Sequence, residues 1–301
     1  MNVLATRVGE VALRSAVMTA SGTAGYADEL AGYGNLAELG AVVTKSLAAF
    51  AWAGNPPPRV AASGEHMLNA VGLAGPGVEA WRSDDLPRLR ARGADVVASI
   101  WGRSVAEFEA AAAMIKGADV VALEVNASCP NVESREIFAH SPSATAEIVD
   151  AARVAGLPIW AKLSPNTPQL LEVAGAALGA GASALGLVNT VLGMAIDVET
   201  RRPTLGNVGG GVSGPGILPV ALRAVFECRA AFKDAPIVGV GGVSGGKDAV
   251  AMLMAGANAL EVGTATFASP RAPWRVQREL EAWLRAHHVS SIDEVTGAAH
   301  G

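Results

Sequence analysis

The sequence predicts an α/β fold: a parallel (β/α)8 TIM barrel occupying residues 1–301 as a single domain. Three observations predict it. Eight short runs of β-branched and other apolar residues recur along the whole chain, alanine-rich helical stretches separate them, and 301 residues is a common length for one barrel.

The runs lie at 16–20, 41–45, 96–100, 120–125, 159–163, 184–189, 237–241 and 260–263. They are continuously apolar instead of alternating, as strands buried on both faces should be. Helix punctuation agrees. Ser104-Val105-Ala106-Glu107 reads as a capping box. Thr167-Pro168 supplies an N-cap and a first-turn proline. Gly117, Gly156 and Gly256 stand where helices should stop before the next strand. The most apolar window, 170–188, contains Glu172 and is broken by Gly175, Gly179 and Gly181, so it reads as helix, turn and strand and not as a membrane span. A doubly wound open sheet is the alternative architecture. Two segments exceed ordinary connections, at about 46–73 with Pro56-Pro57-Pro58 and at about 192–217 with Gly209-Gly210-Gly211. Both follow strand C-terminal ends, the face on which barrels build active sites.

Composition narrows the function. Half the residues are hydrophobic, 17% are charged and the net charge is −5, without a basic stripe, which argues against nucleic acid. Two cysteines far apart in sequence, Cys129 and Cys228, make neither a disulfide framework nor a zinc spacing. The five histidines show no ligand spacing, so no metal is expected, and His287-His288 reads as the end of a helix begun near Ala272. The start of the chain lacks a signal-peptide core, and the expected location is the cytosol.

Chemistry concentrates at the strand ends. Of only five lysines, Lys45 and Lys162 terminate apolar strands, where a half-buried cation calls for an anionic partner. The seventh and eighth strands run into Gly239-Val240-Gly241-Gly242-Val243-Ser244 and Gly263-Thr264, loops suited to a phosphate held by backbone N–H groups. After the fourth strand comes Asn126-Ala127-Ser128-Cys129-Pro130-Asn131. Its two amides offer donor and acceptor pairs suited to a cyclic imide, and they flank a thiol able to act as base or nucleophile. Asn69 and Asn189-Thr190 add amides at other strand ends. Cys228, inside a helical stretch, reads as structural.

These motifs resemble the class 1 dihydroorotate dehydrogenases, and the class 1B catalytic subunit more than class 1A. The resemblance spans nearly the whole chain and rests on Ala20-Ser21-Gly22, Thr44-Lys45-Ser46, Gly54-Asn55-Pro56, Pro58-Arg59-Val60, Asn69 to Leu73, Asn126 to Val132, Lys162-Leu163-Ser164-Pro165-Asn166, Asn189-Thr190, Ser213-Gly214-Pro215, Val240 to Val243 and Val262-Gly263-Thr264. It implies FMN held by Ser21, Lys45, Ser46, Asn126, Lys162, Val188, Gly214, Gly241, Gly242, Gly263 and Thr264, with Ser99 standing where relatives usually carry an asparagine near the flavin. It implies dihydroorotate contacts from Lys45, Asn69, Ala70, Val71, Gly72, Leu73, Asn126, Asn131, Asn189 and Thr190. Cys129 falls at the base position, taking the C5 proton while the C6 hydride passes to flavin N5, with Lys162 stabilising charge at flavin N1 and O2. The resemblance further implies oxidation to orotate in pyrimidine biosynthesis, a homodimeric core, and a separate subunit carrying FAD and a [2Fe–2S] cluster that passes electrons to NAD. The stretch 133–140 lacks the glycines common in that loop, so it is expected to close less readily or over a different ligand. Three other readings stay open: a dihydropyrimidine dehydrogenase-like FMN barrel, a Schiff-base aldolase on Lys162, and a non-catalytic flavin- or phosphate-binding barrel.

Overall fold

The computed structural model describes residues 2–128 and 137–301. Eight parallel strands form one sheet: β1 (Val17–Thr19), β2 (Val42–Val43), β3 (Val96–Ile100), β4 (Ala122–Asn126), β5 (Ile159–Lys162), β6 (Ala184–Leu187), β7 (Ile237–Val240) and β8 (Ala259–Val262). Neighbours in sequence are neighbours in the sheet, and β8 pairs with β1. The ring is completed where the Gly40 N–H donates to Val17 O at 2.8 Å and the Thr19 N–H to Ala41 O at 3.2 Å. That contact excludes the open doubly wound sheet.

The apolar runs are explained by burial on two sides. One parity of each strand fills the lumen, with Met18, Val43, Val97, Ala122, Trp160 and Val238 in one buried cluster. The other parity, including Val17, Val96, Leu123, Ile159, Leu185 and Leu260, packs under the helices. An N-terminal hairpin, Thr6–Val8 with Val11–Leu13, was not foreseen as strand; its Val8, Val11 and Leu13 join the lumen cluster and close its floor.

Helices follow most strands: Val105–Ile115, Pro142–Ala152, Leu170–Gly179, Leu218–Ala231, Gly246–Met254 and Ala272–Ala286. Gly117, Gly156 and Gly256 all have positive φ, the left-handed stop that glycine supplies. Two caps differ from expectation. Ser104 accepts from the Glu107 N–H, but the Glu107 carboxylate turns to the Arg103 backbone and guanidinium, so only half the capping box forms. Thr167 caps a turn ahead of its helix, which begins at Leu170, through a 3.1 Å bond from the Gln169 N–H. Among the described residues no helix is long and apolar enough to cross a membrane.

The two long loops make one structure. Strands at Val60–Ser63, His66–Asn69, Gly210–Ser213 and Val191–Gly193 form a four-stranded antiparallel sheet over the C-terminal end of the barrel. The glycine run is a packing requirement there: a Cβ on Gly210 would lie 2.2 Å from Asn69 O, and one on Gly211 would lie 2.1 Å from Thr190 Oγ1.

Trp160 is the largest side chain of the lumen and is 1% exposed. Replacing it with alanine is expected to cost about 3–5 kcal/mol in denaturant unfolding, and a loss under about 1 kcal/mol would show that the lumen is not close-packed around it.

Candidate active site

Between the mouth of the barrel and the antiparallel sheet lies a cavity of about 500 Å³, in the range of small-molecule sites. Of the residues singled out in the sequence, Ser21, Lys45, Ser46, Asn126, Lys162, Val188, Gly214, Gly241, Gly242, Gly263 and Thr264 border it, as do Asn69, Ala70, Val71, Gly72, Leu73, Asn189 and Thr190. Cys129 and Asn131 lie outside the described residues. Ser99 is brought near but not to the wall: it is fully buried below the cavity, and its hydroxyl is consumed by protein partners.

Lys162 is the last residue of β5 and lies in the floor, 3% exposed. Its Nζ donates to Glu261 Oε2 at 2.7 Å and to Glu124 Oε2 at 3.2 Å, and both carboxylates are 1% exposed. Burial alone would lower the Lys162 ammonium, but the two carboxylates overcome it and hold it above the ordinary lysine range. An amine held in its protonated form by two carboxylates is poorly suited to attack a carbonyl, which weighs against the Schiff-base reading. Space for the side chain comes from Gly186 on β6, where a Cβ would stand 2.9 Å from Lys162 Cδ. Glu124 and Glu261 were not singled out in the sequence, although the signal was present: each is a lone charge inside a strand whose neighbours are apolar.

A directed hydrogen-bond chain links this cluster to the cavity amides. Ser99 Oγ donates its one O–H to Glu124 Oε1 at 2.8 Å. The 2.9 Å contact between the Ser46 and Ser99 hydroxyls must therefore be donated by Ser46. Ser46 in turn accepts from Asn126 Nδ2 at 3.1 Å. Asn126 Oδ1 accepts from Asn189 Nδ2 at 3.2 Å and from the Ser128 N–H at 3.2 Å. Asn189 Oδ1 receives the Thr190 N–H, and Asn166 anchors the segment by donating to Thr190 O at 2.9 Å. Every amide is thereby locked in one orientation.

Lys45, just past β2, donates to Ala74 O and sits 5.0 Å above the Tyr26 ring. Burial, and secondarily Arg59, lower its pKa from the lysine norm. At the opposite end, Gly241 and Gly242 have φ of 120° and 78°, and the Gly242, Gly263 and Thr264 N–H groups have no acceptor among the described residues. The next turn is otherwise engaged: Asp248 accepts the Ser244 and Gly245 N–H groups and Glu279 that of Gly246. Arg275, also missed in the sequence, borders this end and donates to Ser244 O.

Cys228 is buried in its helix, and burial pushes its thiol up to about 12. The structural reading of this cysteine therefore stands. His287 follows the last residue of its helix and stacks on Trp283.

A family model described as dihydroorotate dehydrogenase matches residues 3–284. The chain is 46% identical over 299 residues to the dihydroorotate dehydrogenase B (NAD(+)), catalytic subunit, of Desulforudis audaxviator, covering 98% of this chain and 97% of that one. Identity to the protein of the same description from Alkaliphilus oremlandii is 42% over 296 residues, with 98% of each chain covered. For Trichlorobacter lovleyi it is 42% over 301 residues, with 99% of each covered.

The packing of Gly186 against Lys162 generates a prediction. Gly186→Ala should destabilise the fold by about 1–3 kcal/mol, as expected when a core is overfilled against an ion pair that cannot relax. Unfolding titrations that coincide with wild type would show that Lys162 has room to move.

Proposed function

Because this chain belongs to the dihydroorotate dehydrogenase family, we propose that it is the catalytic subunit of a class 1B enzyme that oxidises dihydroorotate to orotate with FMN. The observation that carries the reading is the floor of the cavity, where a fixed ammonium meets a chain of oriented amides beside two glycine loops.

The residues fit FMN. Gly242, Gly263 and Thr264 would hold the phosphate through N–H groups that have no other acceptor among the described residues. Ser21, Ser46, Val188, Gly214 and Gly241 would flank the ring and ribityl chain, and Lys162 would stand against the pyrimidine edge of the ring. When bound, FMN supplies the two-electron acceptor that takes the hydride from C6 of the substrate.

Each protein group then has a defined task. Asn69, Asn126, Asn189 and Thr190 offer amide and hydroxyl partners to the cyclic imide, with Asn131 joining them from the segment beyond the described residues. The loop from Asn69 to Leu73 forms the wall on the substrate side, and Lys45 supplies a cation for the substrate carboxylate. Cys129 takes the C5 proton as thiolate, so that one proton and one hydride leave the ring together and a C5–C6 double bond forms. The Lys162 charge is in place before the reaction and costs no reorganisation when negative charge develops beside it.

The same reading implies a single-domain chain working in the cytosol as a homodimer. It further implies a separate subunit, carrying FAD and a [2Fe–2S] cluster, that delivers the electrons to NAD.

The test is spectroscopic. Anaerobic dihydroorotate should bleach the flavin band at about 450 nm of the purified chain, while dihydrouracil, which lacks the carboxylate, should not. Bleaching by dihydrouracil alone would favour the dihydropyrimidine reading. Cys129→Ala should keep the flavin and lose about 10²–10⁴-fold in turnover. Wild-type turnover should rise with pH toward a thiol pKa of about 8.5. Full turnover in Cys129→Ala would remove the thiol from the mechanism.

A further inference from the structure

The layer of side chains beneath the cavity contains more charge than binding requires. Three of the eight strands place ionisable groups there: Glu124 on β4, Lys162 on β5 and Glu261 on β8. Their partners on the neighbouring strands are Met18, Ser99, Asn126, Trp160, Gly186 and Val240, none of which ionises. Lys45, two residues beyond Val43, is the cation at the rim above. One ammonium thus faces two carboxyl groups in a buried lumen.

The geometry also leaves one donor over. An ammonium has three N–H groups; two are taken by the carboxylates, and the third has no acceptor among the described residues and is left for the cavity that Lys162 borders. Glu261 Oε1 is buried with no hydrogen-bond partner among the described residues, so this carboxylate is only partly compensated by them. We propose that Glu124 and Glu261 are positioning residues for the redox step: they aim the last N–H of Lys162 at the cavity, and the charge they carry sets the reduction potential of the ring that this N–H meets. The proposal rests on the FMN reading above and goes beyond it, because it assigns a redox role to two residues that do not line the cavity.

The sign follows from the cluster. Burial raises the Glu261 carboxyl well above the usual range against the pull of Lys162, and the Glu124 charge raises it further. Near neutrality Glu261 therefore holds a proton and the cluster is close to balanced. In alkali both carboxylates are ionised, one negative charge is in excess, and adding electrons to a ring beside it is disfavoured. Glu261→Gln keeps the side-chain shape and the balanced charge at every pH.

The experiment is a dye-equilibrated potential titration of the FMN-loaded chain at about pH 6 and about pH 9. At the alkaline pH, Glu261→Gln should raise the midpoint potential by about 30 mV or more, a tenfold gain of reduced over oxidised flavin for a two-electron couple. At the acid pH the two proteins should coincide. Glu124→Gln, which also removes the excess charge, should show the same alkaline rise and serves as the second variant. Equal alkaline potentials in either loaded variant overturn the inference. So does loss of flavin from both, since an isosteric amide preserves the fit. A wild-type chain that takes up no FMN would instead sink the reading on which the inference rests.

Discussion

The structure depends on holding three ionisable groups, Glu124, Lys162 and Glu261, inside a closed barrel. Moving a carboxylate or an ammonium out of water costs several kcal/mol even after relaxation, and mutual attraction offsets this only with good geometry. Each neighbouring feature serves that geometry. Closure of the ring and the N-terminal hairpin keep water from the lumen. Gly186 gives Lys162 a place to lie, and Ser99 occupies the second oxygen of Glu124. A lysine in water would be equally charged but free to point anywhere; here its direction is fixed by two partners on different strands.

The orientation of the amides follows from the same charges. Because Ser99 gives its one O–H to Glu124, Ser46 and Asn126 donate in turn toward it, and Asn126 is left with its carbonyl oxygen facing Asn189. The specificity of the cavity for donor and acceptor pairs is thus decided at a carboxylate buried beneath it. Asn189 then imposes an orientation on the Thr190 backbone, and Asn166 holds the strand end from behind.

Much of this was legible in the sequence. All eight barrel strands lie within a residue or two of the apolar runs, because strands buried on both faces need apolar residues at every position. Lys45 and Lys162 stood out because charges are rare at such positions. Glu124 and Glu261 carried the same signal, yet a lone acidic residue in a strand declares its role only once the strand across the lumen is known. The hairpin at Thr6–Leu13 and the antiparallel roof were illegible for a related reason: their strands are three or four residues long, and the roof pairs segments far apart in sequence. The half-formed capping box shows local competition, in which Arg103 offered Glu107 its guanidinium and its own backbone N–H in place of that of Ser104. Cys129 and Asn131, the residues that the sequence placed at the centre of the chemistry, lie outside the described residues, so their part in the site rests on motif and family.

The antiparallel roof has a consequence for how such a site can diversify. Its two halves come from connections after β2 and β6, yet Gly211 pairs with Asn69 and Val212 with Leu68, so neither half has a conformation of its own. A transplant of one connection from a relative would arrive without its hydrogen-bonding mate and would meet side chains where Gly210 and Gly211 now leave room. The two connections form one inheritable module written in two places, and exchange between family members is workable only when both are moved together.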